Sequence, residues 1–173
     1  MSAASSNAVT APAGLDGREL RNMFALFPTG VAIVTAQGLE GDYIGATVSS
    51  FSSVSLEPPL VLFSMARTAK SFASWEAADS FAVNILSEKQ REVSSQFARS
   101  SGDKWQGVAR SITDAGLPLI EGAIGSLQCR TWARYDGGDH LIIVGEVFAA
   151  TKSSAEKPLV FAASRYAVLA DEG

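Results

Sequence analysis

Apolar residues recur along this chain with two different periods. Leu20, Met23, Phe24 and Phe27 stand at i, i+3, i+4 and i+7, the spacing of one face of an amphipathic helix. Asp16 and Glu19 ahead of them have capping-box spacing, with Asp in the place usually held by Ser or Thr, and Pro28-Thr29-Gly30 ends the helix. From there the period shortens. Val31–Thr35 and Tyr43–Val48 flank a glycine-containing loop and read as a β-hairpin. Leu60–Met65 reads as a strand after Pro58-Pro59, a pair that bars regular structure just before it. Thr68 is placed to cap a short helix that turns Phe72 and Trp75 to the core, and Phe81–Leu86 is a further strand. Ser87 with Gln90 repeats the capping-box spacing ahead of a helix to about Ala98, with Val93 and Phe97 on one side.

Residues 99–116 show no period and read as a loop with little regular structure. Ile124–Arg134 and His140–Thr151 are the longest β-type segments, and Gly137-Gly138 between them is a hairpin signal. Strands that arrive in hairpins, with only three helices, favour an antiparallel barrel over a doubly wound parallel sheet. Trp75, Trp132, Met23 and Cys129 are expected in its core.

Composition bounds this picture. A chain of 173 residues is one domain by length, expected over residues 16–173, and it can bury a substantial core without disulfide or metal. Residues 1–15 are small and polar, without a basic start or an apolar block, and read as a disordered tail. Net charge is −4 with no Lys/Arg block, so the basic footprint of a nucleic-acid binder is missing. Cys129 and His140 are the only residues of their types, too few N and S ligands for a zinc or iron site. A single cysteine suits a reducing cytoplasm, and the longest apolar runs are far too short to span a bilayer.

Common catalytic signatures are absent: no G-x-G-x-x-G, G-x-x-x-x-G-K-[ST], G-x-S-x-G or H-E-x-x-H occurs. A hydrolytic triad would have to use His140, and nothing marks a partner serine. What the sequence offers instead is the Ser/Thr-rich stretch from Gly45 to Ser55, between one strand and the next. By composition alone it is a solvated loop. In its strand-flanked setting, its hydroxyls and backbone amides can also meet the carbonyls and ring nitrogens of a planar heterocycle.

Ordered matches decide between these readings. Phe27-Pro28-Thr29-Gly30-Val31, Ala46-Thr47-Val48-Ser49-Ser50-Phe51-Ser52-Ser53-Val54-Ser55, Pro58-Pro59-Leu60-Val61, Ser80-Phe81-Ala82-Val83-Asn84-Ile85-Leu86, Gln96-Phe97-Ala98, Leu117-Pro118-Leu119-Ile120-Glu121-Gly122-Ala123 and Gly138-Asp139-His140 occur in that order. Together they resemble the short-chain NAD(P)H:flavin reductases, the reductase components of two-component flavin-dependent monooxygenases, over roughly residues 18–169. The resemblance implies an antiparallel Greek-key split β-barrel of the FMN-binding kind.

It also implies roles. Pro28, Thr29, Ala46, Thr47, Val48, Ser49, Ser50 and Ser53 would lie beside the flavin ring, with Ala46 small enough for close approach. The family often carries Asn where this chain has Val48 or Ser49, a departure that alters one side-chain contact. Arg67, Lys70 and Ser71, at an expected helix start, would hold the phosphate, helped by free amides and the helix dipole. Gly138-Asp139-His140 would face the nicotinamide, with His140 positioning it and the ordinary histidine range making that contact pH-dependent. Arg165-Tyr166 matches a position that approaches the flavin from the barrel or from a dimer mate; an ion pair is the structural reading of the same arginine. Trp105 falls where the family carries an aromatic in a mobile loop able to shield the site.

The implied activity is reduction of FMN or FAD by NADH or NADPH through hydride transfer, with reduced flavin passed to a separate monooxygenase. A cytoplasmic homodimer goes with it. A pyridoxamine-phosphate-oxidase-like oxidase and a non-enzymatic flavin-binding module are the competing readings.

Overall fold

The computed structural model describes residue 14, residues 16–153 and residues 156–170. The tail expected over residues 1–15 lies outside these apart from residue 14. The first helix, α1, is Gly17–Phe24, capped by Asp16, whose side chain accepts from Arg18 N at 3.1 Å. Strands follow: β1 Thr29–Gly30, β2 Ala32–Gln37, β3 Tyr43–Val48, β4 Ser52–Leu56 and β5 Pro59–Ala66. Then come α2 Phe72–Ala77, β6 Ser80–Ile85, a 3-10 turn at Glu88–Gln90 and α3 Arg91–Phe97. The remaining strands are β7 Arg110–Ile112, β8 Pro118–Ile120, β9 Gly125–Gly137, β10 His140–Lys152, β11 Val160–Ala162 and β12 Arg165–Ala167.

Seven strands form one antiparallel sheet in the order β3-β2-β6-β9-β10-β5-β4. Its two edge strands, β3 and β4, are consecutive in the chain and joined only by residues 49–51. Val48 to Ser52 is four residue steps and spans at most roughly 14 Å. The sheet therefore has to curl until its opposite edges meet at that link. Ser50 fastens the link, its Oγ accepting from Ser64 N at 3.0 Å. No ladder joins β3 to β4, so the barrel stays split along one seam.

Burial follows the strand period. On β5, Val61, Phe63 and Met65 point inward, meeting Leu141 and Ile143 of β10. Phe63 stands edge-on to Trp75 at 5.6 Å and to Phe81 at 5.0 Å. Strand β2 is buried on both faces, which explains its continuous apolar run. Ala32, Val34 and Ala36 face the barrel interior, whereas Ile33 packs outward on Leu86, Phe97, Ile120 and Leu159. Between the layers, buried Asn84 donates to Ile33 O and Thr35 Oγ1 and accepts from Ile120 N, so its amide is satisfied.

The fold departs from the sequence reading in several places. Pro58-Pro59 turns β4 into β5, and Pro59 opens the strand, where no ladder donor is required of it. The N-cap of α2 is Ser71, not Thr68. The loop expected over residues 99–116 contains β7, paired with β8. Cys129 and Trp75 are buried as expected, but Trp132 is exposed. Ala133 pairs with Val144 and Thr131 with Gly145, leaving Trp132 as the unpaired residue of a β-bulge, on the face of β9 opposite the buried Cys129. Met23 is exposed too, because no residue of α1 is buried and its apolar stripe has no partner among the described residues.

Candidate functional site

The split edge borders a groove of about 1160 Å³. Its floor is β3, an edge strand with one side of its backbone unpaired by any ladder; Tyr43 O and Gly45 O accept from side chains of the opposite wall, and the remaining amides and carbonyls of that side are offered to whatever lies there. The floor continues through Ser49 and Ser50 to Ser64–Ala66, and then to Thr68–Ser71 with His140 and Ile142. Sheet curling brings Ala46, Thr47, Val48, Ser49, Ser50, Lys70, Ser71 and His140 to one cavity from distant parts of the chain.

Their side chains do different things. Thr47 Oγ1 donates to Ser94 O at 2.6 Å and Ser50 Oγ is engaged by Ser64, so both hydroxyls serve the framework. Among the described residues Ser49 Oγ and the Lys70 ammonium have no hydrogen-bond partner, which leaves them available to a ligand. Helix α2 has only six residues, and the amides of Ala69 and Phe72 already donate to Ala66 O and Ala69 O. An anion at this end would therefore rely on Lys70 and on the Thr68 and Ser71 hydroxyls.

His140 opens β10 opposite Ala66 of β5. Its Nδ1 lies 2.7 Å from Asp139 Oδ1, leaving Nε2 as the ring nitrogen open to a ligand. That hydrogen bond and the imidazole charge hold the Asp139 carboxyl below the usual carboxylate range. The tip is fixed to β5 by Arg67, whose Nε donates to Gly138 O at 3.0 Å and whose Nη2 meets Asp136 at 2.9 Å. Gly138 has φ 76°, the left-handed region a two-residue turn needs and glycine adopts without strain.

The opposite wall comes from the segment after α3. Lys104 Nζ donates to Gly45 O and Phe97 O, both at 3.0 Å, and partial burial pushes the ammonium pKa down. Trp105 Nε1 donates to Tyr43 O at 2.6 Å, and its ring stands edge-on to Phe97 at 4.8 Å. Gln96 Nε2 donates to the carbonyls of Lys104 and Gln106. Trp105 thus forms part of the wall of the groove, held there by these contacts. Lys104 and Arg110 also line the groove and were missed by sequence reasoning, since nothing local separates them from any surface cation.

Six of the expected site residues lie elsewhere. Thr29 pairs with Phe161 in a small β1-β11-β12 sheet, following Pro28. Ser53 is exposed on β4, and Arg67 is engaged at the hairpin tip. Arg165 is exposed on β12, while Tyr166 OH lies 2.8 Å from Ser94 Oγ behind the β3 floor. None of these six lines the groove.

A curled antiparallel sheet with a long groove on its free edge, and cations along that groove, defines a barrel that binds an extended anionic ligand. The family model of the flavin reductase like domain matches residues 23–170. The "FMN reductase (NADH) SmoA" of Agrobacterium fabrum is 41% identical over 158 residues, covering 91% of this chain and 89% of that protein. The "Flavin-dependent monooxygenase, reductase subunit HsaB" of Mycobacterium tuberculosis is 36% identical, covering 84% and 78%. Among solved structures, the Streptomyces globisporus NADH:FAD oxidoreductase SgcE6 in complex with NAD and FAD fragments superposes with TM-score 0.85 at 38% identity, covering 90% and 93%. The chain belongs to the flavin reductase-like domain family.

Proposed function

We propose that this protein is an NAD(P)H-dependent flavin reductase that binds FMN or FAD in the β3 groove and supplies reduced flavin to a separate flavin-dependent monooxygenase. The observation that carries this reading is the groove itself. One unpaired strand edge runs into Ser49, with Lys70 and His140 gathered at the same end. Family membership and the relatives' names support the same chemistry.

Hydride acceptance is chemistry that a bound flavin supplies. The chain's part is orientation. The β3 edge and Ser49 would hold the ring edge, Ala46 and Val48 its face, and Lys70 with Ser71 the phosphate. His140, steered by Asp139, would place the nicotinamide through Nε2. The Lys104–Trp105 wall closes one side of the groove and limits water. Proximity of two rings in this frame needs no general acid or base.

A homodimer accompanies the reading. Phe24 and Phe27 are 71% and 76% exposed beside Met23, an apolar patch that a second copy would cover. Cytoplasmic location is proposed on the free, buried Cys129; no helix among the described residues is long and apolar enough to cross a membrane. The test is NAD(P)H consumption with and without added FMN or FAD. Oxidation should require the flavin. Flavin uptake without consumption above background, for either nicotinamide, would refute the enzyme and leave a binding module.

A further inference from the structure

The groove extends beyond the platform just described. Tyr43 opens β3, three to five residues before Ala46–Val48, so its backbone lies roughly 10–16 Å further along the strand. At that end Arg110 of β7 lies over two rings, its guanidinium carbon 5.1 Å from the Trp105 centroid and 5.7 Å from the Tyr43 centroid. The two rings are 6.3 Å apart at 67° and are tied by the Trp105–Tyr43 hydrogen bond. Lys104 braces the same wall from beneath through Gly45 O and Phe97 O. The arm is thus held together by contacts within the chain.

Arg110 itself is uncommitted. Among the described residues its guanidinium makes no hydrogen bond and no ion pair. Of the two carboxylates that share the arm, Asp103 Oδ1 accepts from Trp105 N at 2.9 Å, while the Asp42 side chain lies beside Gly38 in the β2–β3 turn with no hydrogen bond among the described residues. A guanidinium seated on aromatic rings keeps its five donors in a fixed plane, the geometry that grips a phosphate at two points. It faces a groove of about 1160 Å³, more than one flavin mononucleotide needs.

We propose that Arg110, stacked on Trp105 and Tyr43, anchors the diphosphate of the nicotinamide dinucleotide, whose reactive ring lies over a flavin held on the Ala46–Ser50 platform. The inference rests on the reductase reading for that platform. It adds a second anion subsite at the end of the groove opposite Lys70. FMN, with its single phosphate at Lys70, has nothing to place there. The diphosphate of FAD includes the phosphate placed at Lys70 and so does not reach Arg110, whereas NAD(P)H brings a diphosphate of its own, joined to adenosine.

The variants are Arg110→Met, which keeps a stem over the rings without charge or donors, and Arg110→Lys, which keeps charge without the planar fork. Steady-state rates with FMN are measured with NADH and with reduced nicotinamide mononucleotide, and FMN and FAD are titrated directly. If the anchor serves the nicotinamide dinucleotide, Arg110→Met raises KM for NADH on the order of 10- to 100-fold. In that case kcat, FMN affinity and the KM of the mononucleotide stay unchanged, and Arg110→Lys falls between. A fall in FAD affinity that spares FMN, with the KM for NADH unchanged, overturns it. Four unchanged ligands overturn the proposal, and so does equal weakening of all four, which would mark Arg110 as a structural prop. A wild-type protein that takes up neither flavin overturns the reductase reading instead. ADP-ribose, which has the diphosphate and adenosine but neither ring, then tests Arg110 alone: binding lost in Arg110→Met upholds the subsite, and absent or equal binding overturns it.

Discussion

Replacing Gly45 by alanine asks whether the floor and wall of the groove are one packed unit. A Cβ at this position would stand 2.4 Å from Phe97 Cε1 and 2.7 Å from Phe97 Cδ1. Non-bonded carbons settle near 3.5–4.0 Å, so the ring has to retreat by about 1 Å or more. Phe97 has little freedom to do so. It is 1% exposed and wedged against Trp105 within the cluster of Leu86, Ile120 and Leu159. Overpacking of this kind costs about 1–3 kcal/mol. The shift also pulls on Lys104, which holds Gly45 O and Phe97 O together. Gly45→Ala should therefore lower the urea midpoint by an amount equivalent to about 1–3 kcal/mol at constant m, and weaken flavin affinity with it. Phe97→Leu alone should also destabilise, through the cavity it leaves. Combined, the two changes relieve one another, and the double variant should lose less than the sum. A neutral Gly45→Ala, or strictly additive losses, would refute the close packing from which the magnitude is drawn.

Three further outcomes follow from the same site and surface. Lys70→Met should weaken FMN about tenfold or more while leaving riboflavin, which lacks the phosphate, unaffected by titration; equal losses would remove Lys70 from the phosphate contact. His140→Ala should raise KM for NADH more than it weakens flavin, and it should move the Asp139 carboxyl midpoint upward in an NMR titration. Asp139 is a carboxylate lowered by its partner, so the contact is complete above the ordinary range near about 4 and is lost as pH falls through the lowered value; an unmoved midpoint would mean the two side chains do not meet in solution. Phe24→Asp should convert a sedimenting dimer to a monomer, because it places a charge in the apolar stripe of α1; a wild-type monomer would show that the stripe is not a self-association face.

Much of the fold was legible because strands and helices carry their own periods. The hairpins Val31–Thr35/Tyr43–Val48 and Ile124–Arg134/His140–Thr151 follow from alternation and turn glycines, and the Ser87/Gln90 capping box is present with both hydrogen bonds. The misses arise where an apolar residue falls on an outward face. Trp132 has a core composition, but it stands three residues from the buried Cys129 and so on the opposite face of β9, where it is also the unpaired residue of the bulge. Met23 and Phe24 have the periodicity of a buried face with nothing among the described residues to bury them.

The Gly45–Ser55 stretch shows why site geometry is harder to read than fold. As sequence it is one Ser/Thr-rich segment, and as structure it is divided among opposite edges of a curled sheet. Gly45–Val48 belongs to the β3 floor, Ser49 and Ser50 to the link, and Ser52–Ser55 to β4 on the far edge. Alternation cannot report that division, because neither β3 nor β4 carries a regular apolar–polar alternation throughout its length. The closing distance is what separates them: a link of three residues forces the two edges together and makes the groove. Once the edges meet, the residues that matter are those the curl brings in from outside the stretch. Lys70 and His140 arrive with β5 and β10, Lys104 and Trp105 with the segment after α3, and Arg110 with β7. A family motif could point to His140. Nothing in the chain's order could point to Arg110, whose two aromatic partners come from β3 and from the loop that follows α3.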